Sequence, residues 1–154
     1  MTHALVMGNR VKVKLVFCLL IGMQAAGVEM VQIMPDRFGI GQKAIDGLLR
    51  NNREIVTEAT IIDMPDSGTG RDTVLAAKLL SDNSANCIVT LDGDGTVRLT
   101  GNNCGEIPVL PISTGTNNVM PRFADSTVAG LCVGYFVQQE EKDRRRLLLS
   151  GEET

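Results

Sequence analysis

The run Cys87-Ile88-Val89-Thr90-Leu91-Asp92-Gly93-Asp94-Gly95-Thr96 decides how the rest of the chain is read. Its first five residues are continuously apolar or β-branched rather than alternating, the pattern of a strand covered on both faces in a parallel sheet. The strand then gives way at once to Asp and Gly. Gly93 and Gly95 let backbone approach a ligand closely, and Thr96 with nearby amides can face a phosphate at the amino terminus of the short polar helix that follows. Asp94, between the glycines, is the informative residue. A carboxylate there can take a proton from a hydroxyl nucleophile, or hold a divalent cation that bridges phosphates. An ordinary Asp-Gly turn is the competing reading of the same spacing.

Helical and strand patterns alternate on either side of this run. Upstream, residues 11–26 read as a helix closed by Gly27, a natural left-handed cap. Its face carries Val11, Leu15, Cys18, Leu19 and Gly22. Residues 28–34 and 55–64 read as strands stopped by Pro35 and Pro65. Between them, 41–51 place Ala44, Ile45, Leu48 and Leu49 on one helical face, and 72–80 form a helix whose apolar set is Val74, Leu75, Ala77 and Leu79. Downstream, 108–112 make a fourth strand and 126–138 a last helix. Right-handed crossovers then predict an α/β fold: an open, doubly wound, mainly parallel sheet in a Rossmann-like three-layer α/β/α arrangement. Ligands of such folds gather at the carboxyl ends of the strands.

The 154 residues are 44% hydrophobic and 21% charged, which fits one core-forming domain and excludes a disordered or collagen-like chain. Residues 1–138 are expected to form that domain, and 139–154 a charged tail. With 15 Lys and Arg against 18 Asp and Glu, the net charge of −3 draws the whole chain neither to nucleic acid nor to an acidic membrane. Aromatics at 3%, without Trp, leave little for a base-stacking surface. The sole histidine is His3, and Cys18, Cys87, Cys104 and Cys132 form no C-x-x-C pair, which argues against zinc and for buried reduced thiols in a cytoplasmic protein. The apolar run 15–21 after Lys12 and Lys14 imitates a signal peptide, but its basic residues come late and it is too short to span a bilayer.

Three further loops follow strands. Gly39-Ile40-Gly41-Gln42-Lys43-Ala44 is formally G-x-G-x-x-A, with Glu58 or Asp63 as a ribose acceptor downstream. Four residues separate it from the strand, so a plain left-handed turn competes with a dinucleotide turn. The loop 66–72 offers N-cap chemistry from Thr69 or Asp72, and its amides could meet an anion. The loop 111–118 packs the neutral donors Ser113, Thr114, Gly115, Thr116 and Asn117 directly after a strand, which suits ribose or phosphate.

Taken together, V-T-L-D-G-D-G-T at 89–96 and G-E-I-P-V-L-P-I-S-T-G-T-N-N-V-M-P at 105–121 resemble the ATP-NAD kinase superfamily, most closely its AcoX-type branch linked to acetoin catabolism. The likeness extends through 27–41 and 127–134. It implies phosphoryl transfer from ATP to a hydroxyl, in NAD kinases the ribose 2'-hydroxyl of NAD. Asp94 matches the signature aspartate of catalysis and of the Mg2+ site; Gly93, Gly95 and Thr96 match the phosphate loop, and Ser113 to Asn117 the second nucleotide segment. A lipid kinase and a noncatalytic nucleotide-binding module are the alternatives.

Three departures qualify the match. Asp92 stands where the signature usually opens with glycine, and its charge opposes polyphosphate. The family pattern also begins with a further strand and phosphate loop, and continues into a β-rich second domain. This chain therefore reads as shortened at both ends, and a homo-oligomer is the expected cover for the apolar surface left open.

Overall fold

The computed structural model describes residues 2–51, 57–91, 93–112, 125–139, 143, 144 and 146, with side chains from Lys12 onward. In chain order the elements are α1 (Thr2–Ala25), β1 (Met30–Ile33), α2 (Ile40–Asn51), β2 (Glu58–Ile61), α3 (Gly70–Asp82), β3 (Ile88–Leu91), α4 (Asp94–Asn103), β4 (Val109–Ile112) and α5 (Ser126–Val137). Punctuation follows the sequence. Gly27 and Gly39 take the positive φ angles (83° and 64°) that a side chain would strain. The tail from Glu140 lies almost wholly outside the described residues.

Strands β1 and β2 pair in parallel, Met30 opposite Glu58 and Ile33 opposite Ile61. β3 and β4 do the same, Ile88 opposite Val109 and Leu91 opposite Ile112. Among the described residues no hydrogen bond joins one ladder to the other, so the expected single sheet is present as two two-stranded ladders. Side chains join them. Val31 of β1 and Leu91 of β3 both pack against the cluster built on Val16, Leu20, Ala44, Ile45 and Leu48, and against the cluster built on Leu19, Met23, Ala129 and Val133. The alternating pleat sends Ile88 and Val109 the opposite way, onto Ala77, Leu80 and Cys104. Helices α1, α2 and α5 thus cover one face and α3 and α4 the other, giving the three layers expected of the α/β class.

The closest helix contact is between α1 and α5. A Cβ on Gly130 would collide with the Leu19 carbonyl oxygen, and one on Gly22 with that of Thr127. Gly134 leaves room in the same way for Ala26. At the end of α5, Gln138 Nε2 donates to the carbonyls of Ala26 and of Gly134.

The buried helix faces differ from those the periodicity suggests. On α1 the buried residues are Val16, Leu19, Leu20, Gly22 and Met23, while Leu15 and Cys18 are half-buried, because α2 and α5 flank this helix on two sides. On α2, Gly41, Ala44, Ile45 and Leu48 are buried but Leu49 is exposed. On α3 the buried set is Asp72, Ala76 and Ala77, and Leu75 faces outward. Of the four thiols, all free, Cys104 is buried, Cys18 and Cys87 are half-buried, and Cys132 is exposed on α5, contrary to the expectation of burial.

Candidate functional site

The helices that follow β1, β2 and β3 share a fold position, but their amino termini are finished differently. After β1, Asp36 turns back on its own loop and its carboxylate accepts from the amides of Phe38, Ile40 and Gly41. Those donors are therefore spent on Asp36. Gly41 is needed for packing, since a Cβ there would lie 2.7 Å from Ile33 Cγ2. Glu58 opens β2 and so stands at the opposite end of the strand from the loops. A dinucleotide turn at Gly39 and Gly41 is thereby replaced by the plain left-handed turn.

The loop after β2 is closed in the same manner. Thr69 is the N-cap of α3, accepting from the Arg71 amide, while Asp72 reaches back to accept from the Ser67 amide and hydroxyl and from the Gly68 amide. The Ser67 hydroxyl, followed by its amide, holds the Asp72 carboxyl below the usual carboxylate range. Arg37, from the loop after β1, lies over Gly68 and donates to the Ser67 carbonyl at 3.1 Å. An anion offered to this mouth would meet the Asp72 carboxylate already holding the Ser67 and Gly68 amides.

The terminus after β3 differs. Its N-cap is Gly93, with extended backbone (φ −89°, ψ −174°) and no side-chain cap hydrogen bond. Asp94 opens the first turn of α4 and is half-buried, as is Thr96. Gly95 has ordinary backbone angles, and among the described residues a Cβ on it would meet nothing within 4 Å. Neither its conformation nor its packing against the described residues requires glycine there. Gly101 is equally open, but it sits in the last turn of α4, away from the strand end.

Where the second predicted segment leaves the sheet is equally defined. Leu91 and Ile112 are register partners, so the chain departs towards Asp94 and towards Ser113 from the same rung of one parallel ladder. The connections then part: α4 packs beside α3, whereas α5 packs on α1 across the sheet. Neighbouring strands whose connections leave to opposite faces open a crevice at their carboxyl ends, the usual ligand position in this architecture. Ser113, Thr114, Gly115, Thr116 and Asn117 lie outside the described residues, as does Asp92.

Two buried hydroxyls were not singled out by sequence reasoning. Thr90 Oγ1, one residue before the end of β3, and Ser126 Oγ, the first residue of α5, have no hydrogen-bond partner among the described residues. A polar residue inside the apolar run 87–91 was the available signal for Thr90. Ser126 had none beyond its place at a helix start.

Metal chemistry is limited by the donors present. Among the described residues no three of His, Cys, Asp and Glu converge. The Asp94 carboxylate beside a helix terminus would suit Mg2+ carried on nucleotide phosphates, which supply most of its ligands. Among the described residues, no helix is long and apolar enough to cross a membrane.

Comparison with known proteins gives the family of the fold. The family model described as the ATP-NAD kinase N-terminal domain matches residues 29–138. The chain is 35% identical over 127 residues to the Acetoin catabolism protein X of Cupriavidus necator, a match covering 81% of this chain and 35% of that protein. The chain thus spans about a third of the length of that relative. No solved structure gives a significant match. With the match running from the residue before β1 to the end of α5, the chain belongs to the ATP-NAD kinase N-terminal-domain family.

Proposed function

We propose that this chain binds ATP at the carboxyl ends of β3 and β4 and takes part in transfer of its γ-phosphoryl group to a hydroxyl, such as the ribose 2'-hydroxyl of NAD. The observation that carries the reading is the amino terminus of α4, which directly follows β3: a glycine N-cap, Asp94 in the first turn, and Gly95, whose added Cβ would meet no described atom within 4 Å. Gly93, Gly95 and Thr96 position phosphate through backbone amides and a hydroxyl, with the helix dipole favouring its charge. Asp94 accepts the proton of the attacking hydroxyl or organises the metal. Ser113 to Asn117 contact the nucleotide from the neighbouring strand. Mg2+, when bound, screens the phosphates from one another and from the carboxylate.

The likeness to an acetoin catabolism protein supports a physiological role in acetoin breakdown. Phosphoryl transfer is tested by incubating the full chain with Mg2+, ATP and NAD and following NADP. Asp94→Asn is expected to lower the rate by roughly 10²–10⁴-fold, the range for loss of a positioned acid-base group, while ATP binding by calorimetry persists. Asp92 favours a second reading, a nucleotide-binding module without turnover, since a carboxylate beside the phosphate loop repels the substrate. That reading is the correct one if ATP binds, no NADP forms, and Asp94→Asn changes nothing.

A further inference from the structure

Helix α5 carries no charged residue from Ser126 to Val137. Its inner side, Ser126, Ala129, Gly130, Val133 and Gly134, is buried on α1 and the sheet. Its outer side is also apolar: Val128, Leu131, Cys132 and Tyr135, spaced i, i+3, i+4 and i+7, form one stripe, and the exposures of Val128, Leu131 and Tyr135 are 54%, 40% and 63%. A helix apolar on all sides belongs in an interior, and this one is covered on one side only.

The ends of the helix indicate what covers it. Asp125, an exposed carboxylate, caps the amino terminus by accepting from the Val128 amide. Arg144 closes the carboxyl terminus by donating to the Val137 carbonyl at 3.3 Å. A membrane-surface helix needs a cationic flank beside its apolar stripe, and α5 has none along its length. A copy of the same helix laid antiparallel satisfies both features. The stripe is its own complement about a two-fold axis, and the 12 residues of the helix, about 18 Å, separate the Asp125 carboxylate at one end from the Arg144 guanidinium at the other, which has exposed Asp143 beside it. We propose that α5 pairs antiparallel with α5 of a second copy of this chain, the axis passing between Leu131 and Cys132 and bringing Asp125 of each copy level with Arg144 of the other. The pairing does not depend on the phosphoryl-transfer reading. A single helix pair falls short of the roughly 1,200 Å² of a standard stable interface, so the dimer is reversible and concentration-dependent.

Sedimentation equilibrium of the full chain across the micromolar range tests it. The expected result is a monomer–dimer equilibrium whose dissociation constant rises at least tenfold in Leu131→Glu, with unchanged far-UV circular dichroism. Asp125→Asn keeps the helix cap and removes the charge, and is expected to weaken the dimer several-fold at low salt and less at high salt. A second readout leaves the stripe native, so that misfolding cannot account for it: a short bismaleimide should link two copies through Cys132, with the product lost in Cys132→Ser and kept in Cys18→Ser. A monomer at every concentration, or a dimer indifferent to Leu131→Glu with no Cys132 cross-link, overturns the proposal. So does a monomer that binds vesicles of phosphatidylglycerol through this stripe.

Discussion

At the residue scale, Gly95 separates the needs of the fold from those of a ligand. Glycine inside a helix costs up to about 1 kcal/mol relative to alanine, and the space around Gly95 would admit a methyl group. Gly95→Ala is therefore expected to leave stability unchanged or raise it by a few tenths to ~1 kcal/mol, while weakening ATP binding by an order of magnitude or more. Urea melts and calorimetry on the same variant check both halves, and unaltered ATP affinity would remove Gly95 from the site. Asp72 shows the reverse case, a carboxylate serving the fold. Its pKa is lowered in the folded chain by the Ser67 hydroxyl and amide and the Gly68 amide. The stabilisation this represents is complete above the unfolded value near 4 and is lost as pH falls through the lower folded value. Wild type should lose more melting temperature between about pH 5 and pH 3 than Asp72→Asn does; parallel curves for the two would show that the carboxylate contributes nothing to stability.

At the scale of elements, the helix contacts that glycine permits matter most. Gly130 leaves no room for a Cβ between α5 and the backbone of α1, so Gly130→Val forces the helices apart. The expected cost is at or above the top of the roughly 1–3 kcal/mol seen for overpacking, read as a lower urea midpoint with the slope unchanged. Strand positions and helix positions, apart from the start of α1, which lies at Thr2 rather than at Val11, were legible in sequence because apolar runs and Pro or Gly stops are local signals. Pro35 and Pro65 each follow a strand within a few residues, and Gly27 takes the positive φ that its place predicts. Which face of each helix is buried was less legible. Leu49 and Leu75 share the periodicity of buried neighbours yet point outward, and α1 and α5 are apolar on several sides, so their patterns do not choose a face. In the site, the motif at 93–96 announced itself, whereas the filling of the other two mouths by Asp36 and Asp72 depends on side chains folding back on their own loops, which spacing alone does not show.

For the whole molecule, the thiols report how the layers open. Desolvation raises the Cys87 thiol to about 11 and pushes Cys104 upward as well, whereas Cys132 lies exposed. With a thiol reagent at pH 8, in a sample dilute enough to be monomeric, Cys132 should react fastest, and Cys87 and Cys104 at rates set by opening of the structure. Mass mapping of labelled peptides distinguishes these classes, and equal rates at all three would contradict the burial described. The clasp between α1 and α5 has a consequence for assembly. Each ladder can form from neighbouring stretches of chain, β1 with β2 and β3 with β4, but the helix before the first must find the helix after the last. That meeting closes the stretch from Gly22 to Gly130 into one loop, the longest closure among these contacts, and its entropic penalty is expected to slow native assembly more than either ladder does.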